Sequence, residues 1–122
     1  MVATSTIEVG LEQRLGRLRG ETTCECVPEY QGLADQVGTS RKFSAALVQL
    51  KALSDEHRLL AVALLKRRKE LCACEIQAAT GLNHATVSHH MSVLVDAGLV
   101  RPRREGKWIY YRLGEHPEVE IP

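Results

Sequence analysis

Residues 74–98 read CEIQAATGLNHATVSHHMSVLVDAG, and this stretch decides the fold. A short helical run from about Cys74 to Thr80 meets Gly81, a residue suited to a left-handed C-cap. Asn83 offers an N-cap side chain, and a second helix runs from it to about Ala97, before Gly98. Helix, tight turn and helix over this distance predict a helix-turn-helix unit, whose second helix enters the DNA major groove. In that helix Val87, Met91, Leu94 and Val95 form the core stripe. His84, Thr86, Ser88 and His89 lie elsewhere on its circumference, as small or hydrogen-bonding groups able to read base edges.

Downstream, residues 99–104 and 108–113 flank Glu105-Gly106-Lys107 and predict a β-hairpin. Arg101, Arg103, Arg104, Lys107 and Arg112 against Glu105 give it a local charge of +4, suited to phosphates or the minor groove. The bland alternative is a small helical domain with a solvated hairpin. The pieces in this order instead predict a mainly α fold with a small β-hairpin, a winged helix-turn-helix over residues 41–114.

Upstream, Ser54 is the expected cap of a helix in which Leu59, Leu60, Val62, Ala63, Leu64 and Leu65 bury most of the circumference before KRRKE ends it. Before that, Ser40 is the expected cap of a helix whose Phe43, Ala46, Leu47, Leu50 and Leu53 form an apolar stripe. Residues 5–20 carry Ile7, Leu11, Leu15 and Leu18 at helical spacing, with Gly20 as a stop. Residues 21–40 mix Gly, Pro, Thr and acidic side chains and suggest a mobile arm. The expected organisation is an N-terminal helix and arm over residues 1–40, the DNA-binding domain over 41–114, and a short tail over 115–122.

The net charge of +1 conceals an asymmetry: residues 1–40 sum to −3, residues 41–114 to +7 and residues 115–122 to −3. A basic central block fits a polyanion such as double-stranded DNA, because neutralised phosphates release counterions; a solvated basic face is the alternative. With 44% hydrophobic and 25% charged residues the composition is ordinary for a folded chain, so wholly disordered and fibrous classes are excluded. The longest apolar run, residues 59–65, falls far short of the roughly 20 residues of a membrane span. A soluble, cytoplasmic, membrane-free protein is expected, and with neither a nucleophile motif nor a recognisable carboxylate pair, no enzyme.

Four cysteines form two C-x-C pairs, Cys24/Cys26 and Cys72/Cys74. In a chain without a secretion signal, close pairs point to metal ligation or redox chemistry before structural disulfides, and closure within one C-x-C is strained. Convergent thiolates suit thiophilic ions: a three-sulfur site for arsenite, or four sulfurs for cadmium, lead or zinc. Cys72 and Cys74 at i and i+2 of a regular helix would diverge by about 200°, so both reach one ion only if Cys72 sits at or before the helix start. His84, His89, His90 and His116 are further possible ligands, with His89 and His90 read as helix residues that pack or touch DNA.

Over about residues 43–113 the sequence resembles the ArsR/SmtB family of winged-helix metalloregulators. LSDEHRLLAVALL resembles the family's L-x-D-x-x-R-x-x-I/L-L-x-x-L segment. ATVSHHMSVLVDAGLV resembles its recognition helix and REGKWIYYRL its wing. The segment ELCACEI, residues 70–76, resembles the box in which members place thiolates for arsenite, cadmium or lead. The resemblance implies a homodimeric repressor that leaves its operator when an ion binds. It also implies that arm cysteines, here Cys24 and Cys26, join the box, often from the other subunit. Members usually continue into a C-terminal helix that in zinc sensors carries a second site; GEHPEVEIP does not suit one, so dimerisation is expected to rest more on the stripe over residues 43–53, which includes Phe43, Leu47 and Leu50, with residues 7–18 as a further candidate.

The expected function is thus a repressor released by cadmium, lead, zinc or arsenite. A rival keeps the DNA reader and replaces metal with oxidation or persulfidation of the same thiols. Another, a small thiol oxidoreductase, lacks a βαβ pattern around either pair and leaves the basic hairpin unexplained.

Overall fold

The computed structural model describes residues 10–21 and 25–115. The chain divides into two compact units, residues 1–44 and 45–122. In the first, α1 spans Leu11–Leu18, preceded by Gly10 and closed by backbone bonds before Gly20. The helix expected over residues 5–20 is present from Leu11 onward, and residues 5–9 lie outside the described part.

The segment read as an arm contains a helix instead, α2 over Val27–Gly38. Pro28 stands in its first turn, where a missing N–H costs nothing. Tyr30, Leu33, Ala34 and Val37 then recur at helical spacing, a periodicity that the turn-rich composition masked. The Thr39 hydroxyl donates to the Asp35 carbonyl and the Ser40 hydroxyl to that of Val37, satisfying two end groups. Ser40 Oγ also accepts from Phe43 N at 3.1 Å, capping α3, Arg41–Leu53, as expected.

In the second unit α4 covers Glu56–Arg67. Its cap is Asp55 rather than Ser54: the extended Asp55 aims Oδ1 at the N–H groups of His57 and Arg58, at 2.9 and 3.1 Å. There follow β1 at Leu71–Cys72, α5 at Ala73–Thr80, α6 at His84–Asp96, β2 at Val100–Glu105 and β3 at Trp108–Leu113. Gly81 takes φ 74° to end α5, and Asn83 caps α6, so the helix-turn-helix forms where the sequence placed it. Gly106, at φ 59°, supplies the first central position of the two-residue hairpin turn.

The hairpin gains a partner that the sequence did not reveal. Strand β1 pairs antiparallel with β3, Leu71 opposite Tyr111 and Cys72 opposite Tyr110, giving the order β1-β3-β2. Two residues are too few to show a period of two. Val62, Leu65, Ile76, Val87, Met91, Leu94, Leu99 and Val100 form the buried centre of this unit, with Val62, Met91 and Leu94 wholly inaccessible. Helix α4 is less enclosed than expected, with Leu59 and Leu60 exposed at 37% and 41%, because its neighbours in this unit cover one side. No helix among the described residues is long and apolar enough to cross a membrane.

Candidate nucleic-acid interface and thiol site

Helix α6 is held in rotation by its buried stripe, Val87, Met91 and Leu94. His84, Ser88 and His89 are thereby left exposed, while Thr86 is half-buried and its N–H is bound by Asn83 Oδ1 at 2.9 Å. Of the four side chains assigned to base reading, three therefore stand open and Thr86 stands partly behind the cap. His90 turns inward, where burial holds its imidazole below the usual value.

The wing carries exposed Arg101, Arg103, Arg104 and Lys107. They are not equivalent cations. Arg103 is gripped by Glu70, with Nη2 at 2.7 Å from Oε1 and Nε at 3.0 Å from Oε2. Its Nη1 bonds Glu105 at 2.9 Å, and its guanidinium lies 4.6 Å over the Tyr110 ring. The Glu70 carboxyl is accordingly held below its usual range, first by the Arg103 hydrogen bonds. Arg101 makes a long contact, 3.5 Å, with Glu115. Counting charge along the hairpin alone missed Glu70, which arrives from a segment 33 residues away in sequence.

Cys72 and Cys74 are free thiols, the first half-buried and the second exposed. Cys72 is extended, at φ −80° and ψ 157°, and is the N-cap of α5, so it stands off the helix as the convergence argument required. Its sulfur accepts from Cys74 N at 3.3 Å, and Glu75 Oε1 accepts from Cys72 N at 2.8 Å, closing a capping box. The neighbouring Cys74 thiol is pushed up, first by its hydrogen bond to Cys72, then by burial and the Cys72 charge. Two thiolates so placed repel each other, and a cation relieves that repulsion, so the donor pair fits a thiophilic ion.

The other pair is different. Cys24 lies outside the described residues. Cys26 is the buried N-cap residue of α2 and its sulfur is in a disulfide, which corrects the expectation of thiols throughout; ligation by Cys26 requires its reduction.

A cleft of about 360 Å³ joins the two groups of residues, lined by Cys72, Cys74, His84, Arg104, Lys107 and Trp108. The free thiols thus share walls with the first residue of α6 and with the tip of the wing. Sequence reading overlooked Trp108, 47% exposed, which lies beneath Lys107 with Nζ 5.7 Å from the ring centroid. An aromatic at a hairpin tip beside a lysine was the available signal. The proposed α3 stripe is open, with Phe43, Leu47 and Leu50 exposed at 45%, 43% and 51%.

Comparison with known proteins places this arrangement. The model of the "Bacterial regulatory protein, arsR family" matches residues 55–101. The chain is 39% identical over 82 residues to "Arsenic resistance transcriptional regulator ArsR1" of Pseudomonas putida, covering 67% of this chain and 62% of that one. It is 38% identical over 65 residues to "Cadmium resistance transcriptional regulatory protein CadC homolog" of Staphylococcus aureus, covering 53% and 54%. Against "Uncharacterized HTH-type transcriptional regulator MJ1325" of Methanocaldococcus jannaschii it is 34% identical over 80 residues, 66% of this chain and 90% of the relative. Among solved structures, the homodimeric winged helix-turn-helix domain Mb0332 of Mycobacterium bovis matches with 36% identity and a TM-score of 0.55, covering 62% and 71%. The chain spans little more than half the length of the arsenic and cadmium regulators it matches. With the family model lying across α4, α5 and α6 and a relative matched over nine-tenths of its length, the chain belongs to the arsR family of bacterial regulatory proteins.

Proposed function

We propose that this chain is a metal- or metalloid-responsive repressor that binds operator DNA as a homodimer and lets go when a thiophilic ion engages its cysteines. The observation that carries the reading is the shared cleft, in which Cys72 and Cys74 face residues of α6 and the wing. The names of the arsenic and cadmium relatives support an ion of that class, and the homodimeric M. bovis neighbour supports pairing of two copies. Phe43, Leu47 and Leu50, at i, i+4 and i+7 on α3, supply an apolar strip for that pairing.

In the DNA-bound dimer, two α6 helices enter successive major grooves about 34 Å apart. His84, Ser88 and His89 face base edges, with Thr86 at their margin, while Arg101, Arg104 and Lys107 meet phosphates. Cys72 and Cys74 supply the central ligands, and Cys24 and Cys26 supply the rest, Cys26 after its reduction. These cysteines would hold cadmium, lead, zinc or arsenite, which would supply a soft Lewis acid to their sulfurs. The chain transmits the change along two paths. Cys72 sits in β1, paired to the wing strand β3, and it also opens α5, the first helix of the reading unit. Linkage requires ion and DNA to weaken each other equally, and a 100-fold loss of operator affinity corresponds to about 2.7 kcal/mol.

The test starts from a duplex selected out of a random-sequence pool by the reduced protein. Its fluorescence anisotropy is followed at fixed salt while cadmium, lead, zinc and arsenite are added in turn, with sulfur-to-metal absorbance read on the same samples. Release together with a thiolate band supports the reading and ranks the ions. Tight binding indifferent to every ion removes the metal response and leaves a redox or persulfide signal at the same thiols. Failure to select any duplex removes DNA binding itself.

A further inference from the structure

The second unit holds another cluster of ligating side chains, one that uses no cysteine. Asp55 caps α4, His57 lies in its first turn, and His90 reaches them from α6. Each of the three half-buried residues offers a ligand atom, and these atoms all lie within 4.8 Å of one another. The rings of His57 and His90 stack at 6.0 Å with an interplanar angle of 29°. In a tetrahedral zinc site with bonds of about 2.0–2.1 Å, ligand atoms stand about 3.4 Å apart, so closure of this cluster takes shifts of about an ångström.

The cluster already hosts a cation of its own. Arg58 Nη1 sits 3.1 Å from His90 Nδ1, which accepts as a neutral ring. The same guanidinium is anchored through Nε to the Ala52 carbonyl, so Nη1 can leave His90 without freeing the side chain. Asp55 spends Oδ1 on the two N–H groups of its cap, and Oδ2 remains for a ligand. A carboxylate with two imidazoles is a borderline donor set, unlike the soft thiolate pair at Cys72 and Cys74.

We propose that Asp55, His57 and His90 form a second metal site, selective for a borderline divalent ion such as zinc, nickel or cobalt, which joins the start of α4 to α6. The ion displaces Arg58 from His90 and leaves room for water, as three-ligand zinc sites do. The site stands apart from the thiol reading, since no sulfur contributes to it.

The experiment removes sulfur from the question. The full chain is reduced, its thiols are alkylated, retention of fold is checked by circular dichroism, and cobalt(II) is titrated with visible absorbance. The expected result is one cobalt per chain, ligand-field bands without sulfur charge transfer, and paramagnetic broadening of the His57 and His90 ring resonances before those of His84 and His89. His57→Gln then weakens binding by more than about tenfold, since even outer-sphere partners of a metal are worth about 10–100-fold. Asp55→Asn, which keeps the capping oxygen and removes the charge, weakens it too. Cys72→Ser/Cys74→Ser, read by the same resonances, replaces alkylation if that treatment disturbs the fold. Absence of cobalt uptake at millimolar concentration, broadening led by His84 or His89, or unchanged affinity in His57→Gln would overturn the site.

Discussion

Most helices of the chain begin under a side-chain cap, α3 under Ser40 included, but the first two do not. In residues 45–115, α4, α5 and α6 each start under a side chain that accepts backbone N–H groups: Asp55, Cys72 and Asn83. In residues 10–38, α1 and α2 start at Gly10 and Cys26 with no side-chain cap bond. Around α6 the core is closed, while α1, α2 and also α3 leave apolar side chains open. Met91 and Leu94 are sealed, whereas Leu18, Tyr30, Leu33 and Val37 are exposed at 81%, 44%, 52% and 57%. A segment with capped helices and a closed core specifies itself, while one with uncapped helices and open apolar faces draws its stability from elsewhere. The helix-turn-helix of α5 and α6 belongs to the first kind and α2, which begins at Cys26, to the second.

Paired truncations break this comparison most sharply. Leu94→Ala in the second unit is expected to cost about 2–5 kcal/mol in urea unfolding, the range for buried leucines that leave a cavity. Leu33→Ala on α2 is expected to stay within about 0.5 kcal/mol, as an exposed site should. If the two losses are equal, the first unit is as self-sufficient as the second.

Next in size is the thiol coupling. Cys72→Ser is expected to keep operator affinity and abolish release by metal, a loss of about 2.7 kcal/mol of coupling if the unaltered chain lets go 100-fold. Anisotropy with and without cadmium measures it. Serine retains an N-cap oxygen, so the start of α5 survives the substitution and a loss of response is not a loss of fold. A Cys72→Ser protein that still releases DNA on metal addition would move the sensor away from β1.

The caps themselves give a smaller effect. Asp55→Ala removes the acceptor of two N–H groups and is expected to cost about 1 kcal/mol, seen as a lower urea midpoint with unchanged slope. Ser54→Ala, at the residue that stands one place too early, is expected to cost less.

The second unit was legible because its signals are local. Gly81, Asn83 and the Val87–Met91–Leu94 stripe each act within a few residues, and the helix-turn-helix followed from them directly. Cys72 stands at the helix start, where it must be if both sulfurs serve one ion, since two sulfurs two residues apart on a regular helix cannot converge. What escaped was made by pairing across the chain: β1 on β3, Glu70 on Arg103, and His90 beside Asp55. Helix α2 escaped for another reason. Proline and glycine in residues 21–40 outweighed a weak apolar period, although Pro28 falls in the one turn that tolerates it. The site was therefore readable as a set of residue types and unreadable as a set of partners.

The smallest expected effect tests one of those partners. Glu70 precedes Cys72 by two residues and holds Arg103 of the wing, so an acid next to the free thiols neutralises a cation of the proposed DNA face. Glu70→Gln leaves Arg103 with Glu105 alone and frees part of its charge for a phosphate. Operator affinity should rise modestly, and the slope of log affinity against log salt should steepen by up to about 0.9, the value of one neutralised phosphate. The pH dependence carries an opposite sign for stability. Because Arg103 depresses the Glu70 carboxyl in the folded state, its contribution is complete above the ordinary carboxylate value and fades as pH falls through the depressed one. The unaltered chain should therefore lose its small advantage over Glu70→Gln in urea midpoint only in acid, well below neutrality. A salt slope that stays the same in Glu70→Gln would mean that Glu105 and the Tyr110 ring suffice to hold Arg103 off the phosphates, and that the wing binds DNA through Arg104 and Lys107, the two cations that face the thiols.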